Sequence, residues 1–186
     1  MTIFDQLRAY QPFNEQEQAD RALMLHYGAL FDDLFTRENP LAHLTASSWI
    51  VNPARTKTLM AYHNLYASWA WLGGHADGME DLLAVALKEA GEESGVTARP
   101  VSREIFSLEI LGVAGHVRRG QYVPAHLHLN VTYLLEAEET QALREKPDEN
   151  SAVRWFGLDE VLSATREREM HPIYQKLMDK LSQQRL

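Results

Sequence analysis

The chain has 186 residues, 45% of them hydrophobic and 24% charged, the composition of an ordinary globular protein long enough to bury a sizeable core. Having no cysteine, it carries no disulfide framework, no thiolate zinc site and no cysteine nucleophile. A formal charge of -8 works against an extended nucleic-acid partner, because such binding rests on Lys and Arg displacing counterions from phosphates.

The N-terminal stretch has no basic region followed by an apolar one, and no segment approaches the length of a membrane span. The expectation is a cytoplasmic protein with no membrane partner. Residues Asn14 to Arg37 read as a helix, with Leu23, Tyr27, Leu30, Phe31 and Leu34 at helical spacing, ended by Asn39-Pro40. This N-terminal helical extension, residues 1–40, either packs on the rest of the chain or mediates a homodimer. Leu44 to Val51 and Thr58 to Tyr62 read as two strands joined by the turn at Asn52-Pro53. A short strand from Tyr66 to Leu72 runs into Gly73-Gly74, where a backbone crossing excludes side chains.

A helix is predicted from Met79 to Ser94, opened by a box-like pair Asp77 and Glu80 and stopped by Gly95. Strands follow at Glu104 to Val113 and Leu127 to Leu135, then a polar loop from Glu138 to Asn150 and a short strand at Ala152 to Phe156. A closing amphipathic helix starts at Pro172. Strands alternating with helices, without repeat or linker, predict one α/β domain over residues 1–186.

On the Met79 to Ser94 helix, Glu89, Glu92 and Glu93 are spaced i, i+3, i+4, so their carboxylates project from one side of the last turns. Three acids in one patch repel one another, and the helix C-terminus is unfavourable to anions, so the arrangement calls for a cation. Glu93 falls toward the apolar stripe of Met79, Leu82, Leu83, Ala86, Leu87 and Ala90, and a half-buried carboxylate needs a partner or a metal. Hard oxygen ligands point to Mg²⁺ (or Mn²⁺).

The stretch Gly74 to Val96 resembles the Nudix box of the Nudix hydrolases. That pattern is Gly, five residues, Glu, seven residues, Arg-Glu, apolar, any, Glu-Glu, any, Gly, apolar. Gly74, Glu80, Glu89, Ala90, Glu92, Glu93, Gly95 and Val96 match it, with Lys88 in place of the box arginine. Six identities at fixed spacing arise by chance with a probability on the order of 10⁻⁵. The resemblance implies an α/β/α sandwich on a mixed sheet. It also implies cleavage of a phosphoanhydride in a nucleoside diphosphate linked to another group, or in a related organic diphosphate. It places the metal on Glu89, Glu92, Glu93 and the backbone carbonyl of Gly73, and takes a general base either from the box helix or from the loop before the last core strand. In that loop Glu149 is the candidate, with Asp148 behind it.

Lys88 keeps the charge of the arginine it replaces and loses its planar fork. That departure supports a second reading, a catalytically weak nucleotide-binding or regulatory module on the same fold. Isomerisation of an isopentenyl diphosphate, a third activity of the fold, relies on a catalytic cysteine and is removed. Among weaker signals, His126 and His128 share one strand face, and with His63 and His75 they are candidates for substrate phosphate contacts or an additional metal. Trp49, Trp69 and Trp71 either stack a base or fill the core. Arg118-Arg119-Gly120 reads as a solvated loop tip within reach of a phosphate.

Overall fold

The computed structural model describes residues 1–118 and 120–183. The loop-tip reading at Arg118-Arg119-Gly120 falls outside the described residues at Arg119 and at the Arg118 side chain. The elements in chain order are α1 (Ile3–Ala9), α2 (Glu15–Leu30), β1 (Ala42–Val51), β2 (Lys57–His63), β3 (Ser68–Ala70), β4 (Leu72–His75) and α3 (Leu82–Ser94). They continue with β5 (Arg99–Pro100), β6 (Ser107–Val113), β7 (His116–Arg118), β8 (Gln121–Val123), β9 (His126–Glu136), β10 (Asn150–Gly157), α4 (Val161–Ala164) and α5 (His171–Gln183).

The main sheet is mixed and runs β10-β2-β1-β9-β5, with β3 on β2, β4 on β1 and β6 on β9; β7 and β8 form a separate hairpin. Its centre is the parallel pair β1 and β9, in register from Ala42 with Leu127 to Val51 with Glu136. Alternation along these strands sends Leu44, Ala46, Leu129 and Val131 to one face, where α3 packs and Ser48 Oγ donates to the Ala86 carbonyl at 2.9 Å. The other face carries Trp49, which stacks on Tyr174 of α5 with ring centroids 5.7 Å apart, beside Leu177 and Leu181. Helices on both faces of a mixed sheet make the expected α/β sandwich.

The second face also buries polar residues. Glu17 of α2 has no exposed surface, and its carboxylate accepts from Tyr10 Oη (2.6 Å), the Phe13 N–H (2.7 Å), Ser107 Oγ (2.9 Å) and Lys180 Nζ (2.9 Å). Lys176 Nζ lies 3.0 Å from Glu109 and 3.2 Å from Glu17. Burial opposes the Glu17 charge, but these donors outweigh it and hold its carboxyl down to about 2. Gln16 and Lys176 donate to the Leu108 carbonyl at 3.0 Å, and Asp20 accepts from the Ile110 N–H at 2.9 Å. The free edge of β6 is thereby capped by side chains. The N-terminal extension packs on the sheet edge of its own chain.

Several boundaries differ from those expected. The predicted helix Asn14 to Arg37 ends at Leu30. Beyond it Leu34 is buried and its carbonyl accepts from Leu44 N, which draws the segment onto β1. A separate first helix, α1, is opened by a capping box between Thr2 and Asp5. The box helix begins at Leu82 with Asp81 as N-cap, not at Asp77: Asp77 and Gly78 have φ of 45° and 88°, which no helix admits. The strand expected at Tyr66 to Leu72 is split into β3 and β4, which pair different neighbours, and Gly73-Gly74 lie inside β4. Among the described residues no helix is long and apolar enough to cross a membrane.

Candidate active site

Helix α3 is anchored by Leu82, Leu83, Val85, Ala86 and Ala90, and it ends at Gly95 in the left-handed conformation (φ 78°) that a residue without Cβ adopts freely. That anchoring turns Glu89 and Glu93 inward, each only 8% exposed. Gly74 of β4 passes so close that a Cβ there would stand 2.7 Å from Glu89 Cδ. The glycine makes room for the carboxylate.

The third acid arrives on the loop before β10. Asn150 Nδ2 donates to the Glu93 carbonyl at 2.9 Å, while Asn150 Oδ1 accepts from the Lys146 N–H at 3.1 Å. On the other side Asn64 N–H donates to the Glu149 carbonyl at 2.9 Å. So clasped, the loop brings Glu149 to Glu89 and Glu93, with carboxylate oxygens of all three within 4.8 Å of one another. Glu93 is raised well above the usual carboxylate range, by burial first and then by the charges of Glu89 and Glu149, against a hydrogen bond from the Gly73 backbone.

Two lysines rim the acids. Lys88 Nζ reaches Glu89 at 2.9 Å and Glu92 at 3.3 Å; Lys146 Nζ reaches Glu149 at 3.0 Å and Glu92 at 3.3 Å. The hydrogen bond to Glu89 raises the Lys88 ammonium above its ordinary value. Glu92, its side chain 42% exposed, faces both lysines, which hold its carboxyl low against the effect of partial burial.

The residues singled out in the sequence are thus distributed unevenly. Glu89, Glu93, Glu149 and Gly73 come together; Lys88 and Glu92 flank them; Asp148 is not part of the carboxylate group. His63 lies close enough to feel the Glu149 charge, and its ring stacks on Tyr66 at 4.6 Å. His75, His126 and His128 gather elsewhere, around His43, a residue the sequence reading passed over. Trp49 is fully buried, Trp71 packs edge-on to Tyr174 and Trp69 on Phe156, so all three serve the core. Sequence reasoning also missed Asn150 and Lys146. The only available signal was a polar loop just ahead of a strand, which does not say where such a loop docks.

The pattern of the NUDIX domain matches residues 42–180, most of the chain. The chain belongs to the Nudix family. As a Nudix protein it is a hydrolase, with the family's general activity on nucleoside diphosphate derivatives. It is similar to a Nudix-family hydrolase from Clostridium perfringens (19% identity, TM-score 0.52, covering 75% of this chain and 97% of that one). It is also similar to an Ap4A hydrolase of C. elegans, solved as a binary complex (19%, TM-score 0.54, 75% and 94%). A Nudix hydrolase from Nitrosomonas europaea aligns comparably (17%, TM-score 0.55, 74% and 86%). At these identities the likeness speaks for the fold. No curated protein matches the chain in sequence.

Proposed function

We propose that this Nudix protein is a divalent-cation-dependent pyrophosphohydrolase of a nucleoside diphosphate linked to a second group, or of a related small organic diphosphate. The convergence of Glu89, Glu93 and Glu149 within 4.8 Å carries the reading. The donor set fits Mg²⁺ or Mn²⁺: every ligand is a hard oxygen, and two of the acids are buried beside a third with mutual repulsion to offset. Glu89, Glu92, Glu93 and the Gly73 carbonyl would hold the cation, Glu92 by turning from its lysines. Bound there, it supplies charge neutralisation and Lewis acidity to phosphate oxygens.

The chain's own groups do the rest. Glu149 takes the proton of the attacking water at its carboxylate, held in place by the loop that Asn150 and Asn64 pin. Glu93, on the box helix, is the second candidate for that proton. Lys88 keeps Glu89 and Glu92 in position as a point charge. His63, beside Glu149, is offered as a substrate contact. Residues 1–186 are read as one Nudix-like domain working in the cytoplasm on a small-molecule substrate.

The test is release of phosphate and pyrophosphate from nucleoside triphosphates, dinucleotide polyphosphates and nucleotide sugars, with Mg²⁺ or Mn²⁺ present or chelated. Release that needs the metal and is lost in Glu92→Gln, Glu93→Gln supports the proposal. Nucleotide binding without release from any compound favours the regulatory-module reading instead.

A further inference from the structure

Four histidines from three strands meet at one end of the sheet. His43 opens β1, His75 closes β4, and His126 and His128 open β9; the parallel register sets His43 beside His128, and the antiparallel one sets His75 beside Thr45. Ring centroids of His75, His126 and His128 lie 4.8–5.0 Å from that of His43. Ligand nitrogens of His43, His75 and His128 fall within 4.8 Å of one another.

Three details separate this group from ordinary packing. His43 is only 5% exposed, and its ring nitrogens find no hydrogen bond of full geometry, with the Asn39 backbone the polar group beside it. His128 Nε2 stands 3.2 Å from His75 Nε2 and 3.2 Å from His126 Nε2. That matches the roughly 3.3 Å between two imidazole nitrogens on a tetrahedral ion with metal–nitrogen bonds near 2.0 Å. His126 Nδ1 meets the Pro124 carbonyl at 2.8 Å, which fixes the proton on Nδ1 and leaves Nε2 bare. A cation shared by these rings accounts for the close approach of their nitrogens. The nearby Arg37 does not oppose it with a free charge, since two hydrogen bonds of 2.7 Å tie it to Asp77.

We propose that His43, His75 and His128, with His126 in the fourth place, form a second metal site, for a borderline divalent transition ion of the Zn²⁺ class. It is distinct from the carboxylate site and stands independently of the hydrolase reading. Neutral imidazole selects Zn²⁺, Co²⁺ or Ni²⁺ over Mg²⁺, which prefers oxygen ligands and keeps its water.

The probe is Co²⁺, titrated into tag-free, chelator-stripped full chain in excess Mg²⁺. One equivalent of Co²⁺ should bind with a visible absorption band, survive the Mg²⁺ and be displaced by Zn²⁺. His43→Asn and His128→Asn should each weaken binding more than about 10-fold. Glu89→Gln with Glu93→Gln should leave it intact. Should a histidine variant fail to fold, X-ray absorption of the Zn²⁺-loaded wild-type chain reads the ligands directly: three or four nitrogens with imidazole scattering support the site. An oxygen shell, displacement by Mg²⁺, or loss of the band in the carboxylate variant would overturn it.

Discussion

The Asn150 side chain donates to the main-chain carbonyl of Glu93 at 2.9 Å, tying the loop that carries Glu149 to the last turn of the helix that carries Glu89 and Glu93. That carbonyl belongs to a helix end, where acceptors lack intrahelical partners. A single amide therefore satisfies the helix terminus and sets the distance between acids that are 56 to 60 positions apart in sequence.

Asn150→Ala should release the loop. The expected outcome is a fall in kcat on the order of 100-fold from misplacement of Glu149, with a stability loss of about 1–3 kcal/mol for the unpaired buried groups. Steady-state kinetics beside urea unfolding separates the two. An unchanged kcat would remove Glu149 from the mechanism.

Glu93→Gln should abolish metal-dependent turnover while stabilising the chelated protein, because an amide spares the buried site the cost of a third carboxyl group, whether that group is held charged or forced to take up a proton. A gain of about 1 kcal/mol corresponds to a rise of roughly 2–4 °C in Tm for a chain of this size. Thermal unfolding with chelator and with Mg²⁺ checks both halves: the variant melts higher than wild type in chelator and gains little from Mg²⁺.

Lys88→Arg should preserve or raise the rate, since a planar fork can bind Glu89 and Glu92 together where the ammonium reaches them at 2.9 and 3.3 Å. A rate loss above 10-fold in the same assay would mean that the site is shaped around lysine.

Gly74→Ala places a methyl against Glu89 Cδ, at 2.7 Å. The side chain is flexible and can give way, so the fold should survive with Tm within a few degrees of wild type. The displaced carboxylate should cost turnover about 10-fold or more and raise the Mg²⁺ concentration needed for half-maximal rate. A metal titration of activity measures this.

Lys176→Met removes the ammonium that lies 3.0 Å from Glu109 and 3.2 Å from Glu17. Breaking one side of a buried pair costs about 3 kcal/mol or more. Lys180 still reaches Glu17, so the loss falls mainly on Glu109. Urea unfolding should show it as a lower midpoint with an unchanged slope.

The box was legible because its spacing lies within one local unit, a glycine in a strand followed by a helix, and local periodicity carries that information. The start of the helix was not, because Asp77 pairs with Arg37, forty residues earlier, in a backbone conformation that the sequence does not announce. Glu17 reads as one more polar residue of an exposed helix; its burial comes from β6, which brings Ser107, and from α5, which returns with Lys176 and Lys180. His126 and His128 were visible as a pair on one strand face. His43 was invisible beside them, since only the parallel register of β1 on β9 sets it there.

The carboxylate of Glu17 reaches its ammonium partner on Lys180 across 163 positions of chain. Until the last helix docks, a carboxylate destined for the interior has no cation, and the β6 edge lacks the capping bond from Lys176. Loop closure over that distance is slow, so docking of α5 is expected late in folding. An intermediate without it should be a loosely packed species with an open strand edge, the state from which aggregation starts. The charged clasp between α2 and α5 therefore acts as a latch, and refolding at high concentration should lose more of the chain the more slowly it closes.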